Sequence, residues 1–280
     1  MCLFFLYLGI CLCKVSNWTG ENMLFFEDIS ADQLPKEIKS KNLLSVIIEI
    51  RLKKPLALEQ NIFLLYPKIQ EHFEFPVKMN MPVPPEVKAY DVNFKYLPDW
   101  TLNDKSKLYT LGIGTYSIAL TSLNFRYKGW DSFFEEWQKL WTICSNIFSV
   151  SENIEQVGVR FINAFNHLEN FYNNLNLTAK INDTDLLDFD YTPNLTIQYK
   201  NKLIKLAISN NASYGYYDFV TNEQKIYNKA SIIDIDIITN QNIQSDSVIQ
   251  TINDNHKIAK QIFFSIWRKD KIKNVLGEAL

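Results

Sequence analysis

The stretch 129-GWDSFFEEWQKLWTICSNIFSVSENIEQVGVRFINAFN-166 decides the fold. In its first part Trp130, Phe133, Phe134, Trp137, Leu140, Trp141, Cys144, Ile147 and Phe148 recur at three- and four-residue steps, the spacing of a single helix face. Glu135, Glu136, Gln138 and Lys139 fall elsewhere on that helix. Ser132 and Glu135 have the spacing of a capping box, and Asp131 is an equally good N-cap. Each large apolar side chain buried is worth about 1.5–3 kcal/mol, so the aromatic stripe contributes on the order of 10 kcal/mol. That is comparable to the net stability of a whole domain, and the stripe reads as core packing. In the second part Val157, Val159, Phe161 and Asn163 share one face and Gly158, Arg160, Ile162 and Ala164 the other. This period of two predicts a strand over 154–166.

Working outward, residues 43–52, LLSVIIEIRL, predict a strand with Val46, Ile48, Ile50 and Leu52 on one side and Ile47, Glu49 and Arg51 on the other. Residues 56–74 predict a helix interrupted at Pro67, and 76–86, with four prolines, an irregular loop. Residues 87–97 alternate and predict another strand. A hairpin follows around Gly114-Thr115. Gly112, Gly114 and Ser117 lack the third glycine and the following helix of a phosphate-binding loop. Beyond the central stretch, 169–193 is polar and loop-like. Strands are predicted at 195–199, 203–209, 214–220 and 230–239. A final helix is predicted over about 247–275, with Ile249, Ile252, His256, Ala259, Phe263 and Ile266 inward.

Antiparallel hairpins dominate and no βαβ alternation occurs. The expected class is α+β, mostly antiparallel, as two sheet-plus-helix layers each packed by one long amphipathic helix. The expected divisions are an apolar extension (1–22), an N-terminal α+β half (23–168) and a C-terminal α+β half (169–280). The halves join in one continuous domain or stand apart; the 280-residue length allows both.

Of the 280 residues 47% are hydrophobic and 14% aromatic, which suits an ordered globular chain. Lys plus Arg is 29 and Asp plus Glu 31, so the net charge of −2 gives no global basic bias toward nucleic acid. Cys144 is the only cysteine beyond residue 13, which rules out a disulfide within the body and suits a reducing compartment. Residues 1–15, MCLFFLYLGICLCKV, hold an apolar run too short for a membrane span of about 20 residues. It has neither the preceding Lys or Arg nor the A-x-A site of a signal peptide. Translation from Met23, a genuine signal or anchor, and a structured extension all stay open. The chain is expected in the cytoplasm, or exported or membrane-anchored if that segment is genuine.

Several motifs together carry a resemblance. They are V-I-I-E-I-R at 46–51, Tyr66-Pro67, L-G-I-G-T-Y-S-I-A-L-T-S-L at 111–123, Gly129-Trp130, V-G-V-R-F-I-N at 157–163, I-D-I-D at 233–236 and Asn255-His256. In their order and spacing, from about Lys36 to Gly277, the chain resembles an uncharacterised, sporadically distributed bacterial protein family. The resemblance implies a start near Met23 and a cytoplasmic protein. Residues 1–22 have no counterpart in that family, and the end at Val275-Leu276-Gly277 differs from its usual Trp-Gly. It supplies no catalytic residues.

One constellation bears on function. Glu49 and Arg51, Arg160, and Asp234 with Asp236 are charges set in otherwise apolar strands. Buried charges must pair, bind a ligand or reach water. Cross-strand ion pairs on a solvated sheet face are the simplest outcome. A docking face for a peptide or partner protein is the second, with Arg51 and Arg160 anchoring a carboxylate or phosphate. A divalent-metal phosphoesterase or nuclease site of Glu49, Asp234 and Asp236 is the third. Asn163 and His256 complete the candidate binding set, His256 more as a core histidine than as a base. No cofactor, metal site or catalytic residue is expected: His72 and His167 lack partners at ligand spacing, and no Ser-His-Asp or Cys-His set can be assembled. The expectation is a non-enzymatic binding protein working through a charged sheet face, with the metal-dependent phosphoesterase as rival.

Overall fold

In a computed structural model, the structure describes residues 42–79, 84–123, 125–150, 153–166, 170–177, 180–181, 184–185, 192–218, 223–240 and 243–276, with isolated positions such as Phe26 and Leu34 besides. The apolar extension 1–22, His167 and Gly277 lie outside the described residues.

The chain runs β1 (Leu43–Leu52), α1 (Leu58–Ile69), β2 (Val77–Lys78), α2 (Pro85–Tyr90), α3 (Val92–Lys95), β3 (Trp100–Asn103), β4 (Tyr109–Gly114), β5 (Ser117–Ser122), α4 (Trp130–Phe148) and β6 (Ile154–Phe165). It continues with β7 (Lys180–Ile181), β8 (Thr184–Asp185), β9 (Asn194–Tyr199), β10 (Lys202–Asp218), β11 (Glu223–Asn240), α5 (Val248–Ser265) and α6 (Lys269–Leu276). The class is α+β. Nine strands form one sheet in the order β2-β3-β4-β5-β1-β6-β11-β10-β9, and every pairing in it is antiparallel. Where two layers were expected, β6 of the first half pairs with β11 of the second over 156–165 and 231–240, so both halves share one sheet.

The long helices gather on one face. Val46, Ile48, Ile50 and Leu52 of β1, with Val157 and Val159 of β6, pack under Phe133, Trp137, Leu140 and Cys144 of α4 and Ile62 and Leu65 of α1. Farther along the same face, Ile233, Ile235 and Ile237 of β11 pack under Ala259, Ile262 and Phe263 of α5. Helix α4 with α1 covers the first core and α5 the second. Val248 and Ile252, at the start of α5, reach back into the first core.

Several local expectations change. Helix α4 starts at Trp130 with Gly129 as N-cap at φ 107, and neither Asp131 nor Ser132 caps it through a side chain. A positive φ is glycine's territory, so Gly129 turns the chain into the helix without a capping box. Helix α1 runs through Pro67 instead of stopping there. The proline sits in its last turn, and the carbonyl it strips of a partner is that of exposed Phe63, which water can satisfy. The strand expected over 87–97 is instead α2 and α3. Pro85 at the start of α2 presets helical φ, which outweighs the short alternation. The strands expected at 203–209 and 214–220 run together as far as Asp218 in one strand, β10, bent by bulges at Ser209–Tyr214 where Asn211 takes φ 57; 219–220 lie outside the described residues. The last helix breaks between Ser265 and Lys269, where Trp267 pairs with Leu175 in a β-bridge. No helix among the described residues is long and apolar enough to cross a membrane.

Candidate functional site

Among the described residues the sheet's other face carries no long helix. At one end the segment following α3 lies over it. Ser117 Oγ donates to the Tyr96 carbonyl at 2.6 Å, and a Cβ on Gly114 would stand 2.7 Å from the Leu97 carbonyl oxygen. Buried Lys88 holds the segment by donating to the Leu97 carbonyl and pairing with Asp99 at 2.6 Å. Asp99 in turn accepts from the Thr115 backbone N–H and hydroxyl. At the other end Tyr214, Tyr216 and Tyr227 stack on the β10–β11 ribbon beside Phe125, over Ala164 and Ala230.

Between these ends lie five of the seven candidate residues. Strands β1, β6 and β11 are adjacent, and the register sets Arg160 between Ile47 and Asp236, and Gly158 beside Glu49. The five charges are thus one cluster. Arg160 donates through Nε to Asp234 Oδ1 at 2.8 Å and through NH2 to Oδ2, a bidentate pair one step diagonal from the direct register. Arg51 donates through Nε to Glu49 Oε2 at 2.6 Å and through NH1 to Gln156 Oε1 at 3.1 Å. Its guanidinium also stacks on Tyr96, 4.6 Å from the ring centroid. Asp236 makes no hydrogen bond or ion pair with any described residue. Desolvation pushes its carboxyl up from the usual range to about 6, against the pull of Arg160, Arg51 and Lys205. Burial alone would lower the Arg160 pKa, but Asp234, Asp236 and Glu49 more than offset that and hold its guanidinium charged.

The other two candidates lie on the opposite, helix-packed face. Asn163 is buried between Phe161 and Phe165 in the alternation of β6, opposite Ile233. His256 on α5 stacks on Trp130 with ring centroids 3.9 Å apart and planes 9° from parallel, and also meets Phe161. Burial, aided by Lys260 and Lys257, lowers its pKa to about 3, so it is a neutral core ring. His72 is exposed at the end of α1.

Glu49 and Asp234 are engaged by arginines, and no group of three or more His, Cys, Asp or Glu side chains among the described residues is placed to hold a metal ion. Cys144 is fully buried and its thiol is pushed up to about 12, which keeps it protonated. The cluster includes residues that the charge pattern did not single out. Tyr96 was hidden by the misread 87–97 segment. Gln156 and Lys205 join only through register. Gly158 had a legible signal, since glycine inside a strand marks a close approach or an open space.

Comparison of the sequence with protein-family models and with curated proteins returns no match.

Proposed function

We propose that this chain is a binding protein, without catalytic chemistry of its own, that docks a segment of a partner protein on the open face of its sheet. The observation that carries the reading is the one-sided packing. Helices α1, α4 and α5 all seal the same face, while the central strands present Arg160, Asp234, Asp236, Glu49 and Arg51 on the other. Antiparallel sheets can leave one face to water, and there a polar face needs only alternation. Here the face also has a raised border at each end and charges fixed in paired geometry, which suits recognition of one surface over many.

The double variant Arg51→Ala/Arg160→Ala tests this in a pull-down. A captured protein should be lost while the far-ultraviolet spectrum shows the variant still folded, at a melting temperature lowered by the unpaired carboxylates. An unchanged set of captured proteins, with the variant folded, overturns the proposal. The rival metal-dependent phosphoesterase requires Mg²⁺ or Mn²⁺ to raise the melting temperature, and Glu49→Ala to abolish that rise. No such rise is expected.

A further inference from the structure

We propose that the space over Gly158 receives a single cationic side chain, an ammonium or guanidinium borne by the docked segment, with Asp236 as its counter-charge. The inference rests on the docking-face reading and reverses the sign first expected for the anchoring group.

The central cluster holds three carboxylates, Glu49, Asp234 and Asp236, and two guanidiniums, Arg51 and Arg160; Glu155 at its edge accepts from Tyr96 and Lys95. Arg160 is committed to Asp234 and Arg51 to Glu49, Gln156 and Tyr96. Asp236 is the carboxylate left over. Lys205 stands directly across from it on β10, is exposed, and makes no ion pair with it. The place for a ligand atom is set by a missing side chain. Gly158 sits beside Glu49 in the ladder, and a Cβ built on it would have as its nearest neighbours the Glu49 carbonyl oxygen at 3.8 Å and Asp236 Oδ1 at 4.0 Å. The floor is therefore open backbone, with the carboxyl of Asp236 at one wall and strand β1 at the other.

Ligand classes fare differently in that space. An anion would approach Asp236 and find Arg160 already bidentate on Asp234 and Arg51 bonded to Glu49 and Gln156. An apolar group would strip water from a carboxylate that has no hydrogen-bonding partner among the described residues, at a cost of several kcal/mol. A cation supplies a direct counter-charge and donates to oxygens that accept from no described residue. The pKa of Asp236, held near 6 by desolvation, agrees with a carboxylate that its own sheet does not satisfy. The ion-paired arginines limit the attraction, so binding of an isolated head group is weak. The full affinity comes from the segment that carries it.

The test uses the full chain, isotope-labelled, at pH 7.5, with methylguanidinium and n-butylammonium as probes and acetate and inorganic phosphate as counter-probes. Both cations are expected to give saturable amide shifts centred on Glu49, Gly158 and Asp236, and neither anion should. In Asp236→Asn the apparent affinity should fall at least tenfold. Gly158→Ala places its methyl group at ordinary contact distances, so it should keep the fold and weaken the cations as well. The inference is overturned if phosphate or acetate gives the shifts, if the cation shifts survive Asp236→Asn, or if no probe shifts these amides. A partner lost by Arg51→Ala/Arg160→Ala but kept by Asp236→Asn would leave the docking face standing and remove this inference alone.

Discussion

Replacing Asn255 with alanine should be among the most damaging single changes in the chain. Asn255 lies on α5 with 0% of its surface exposed. Its Nδ2 donates to the Val157 carbonyl at 3.1 Å and the Ile237 carbonyl at 3.3 Å, tying the helix to β6 and β11 at once. Its Oδ1 accepts from Thr239 Oγ1 at 2.8 Å and from Lys202 Nζ at 2.7 Å. Alanine leaves the buried Thr239 hydroxyl without that acceptor and the Lys202 ammonium with only Thr239. An unsatisfied buried group costs about 1–3 kcal/mol, and a lost bond to a charged group about 1.5–3 kcal/mol. Added to the cavity left by the side chain, the loss should be about 3–6 kcal/mol. At about 2–4 °C per kcal/mol for a chain of this size, the melting temperature should fall by roughly 10 °C or more. Chemical denaturation of parent, Asn255→Ala, Lys202→Met and the double variant measures both the loss and the coupling. Removing the whole network should cost less than the two single losses added together, because no charge is then stranded. A single-variant loss below about 1 kcal/mol, or strict additivity, would refute the reasoning.

His256 has its pKa lowered to about 3 from 6.5, so the folded state resists the proton that the unfolded chain accepts. Its contribution is intact above pH 6.5 and is lost as pH falls toward 3; His256→Phe should flatten that acid limb by several kcal/mol in pH-dependent denaturation. Asp236 has the opposite sign: with its folded pKa raised from 3.8 to about 6, its ionisation works against the fold as pH rises through that range. Asp236→Asn should therefore stabilise by up to about 3 kcal/mol at pH 7.5 and by little below pH 4, read from melting curves at the two pH values. Gly114→Ala sets a Cβ 2.6 Å from Ser117 Oγ and 2.7 Å from the Leu97 carbonyl oxygen. It should cost about 2 kcal/mol or more and raise hydrogen exchange across residues 94–98, with the helix-packed core left unchanged.

Where the pattern was long and periodic, the sequence was enough. The face of α4 and the alternation of β1 and β6 follow from spacing, because burial on one side fixes which residues point inward. The same rule showed that Glu49 and Arg51, and Asp234 and Asp236, share faces of their own strands. It could not show that these strands are neighbours. That depends on β6–β11 pairing across more than sixty intervening residues, information that no local window contains. Periodicity also misled where proline chemistry prevailed: the alternation at 87–97 was overruled by Pro84-Pro85, and with it went the view of Tyr96 over Arg51. Asn163 and His256 were polar marks on apolar faces, and the structure keeps them there, on the other side of the sheet from the charges. Asn255, between Ile252 and Ala259 in helical phase, carried a signal that a purely apolar reading of α5 passed over.

The β6–β11 seam has a consequence for synthesis. Strand β6 leaves the ribosome well before β11, and until residue 240 has emerged it has a partner on the β1 side only. Val248 and Ile252, which complete the first core, emerge later still. A nascent chain stopped anywhere before that point presents a ten-residue unpaired edge, Gln156 to Phe165, rich in valine, isoleucine and phenylalanine. Such an edge can template pairing with another nascent chain on the same message, so pauses between codons 166 and 240 should be costlier to yield than pauses elsewhere.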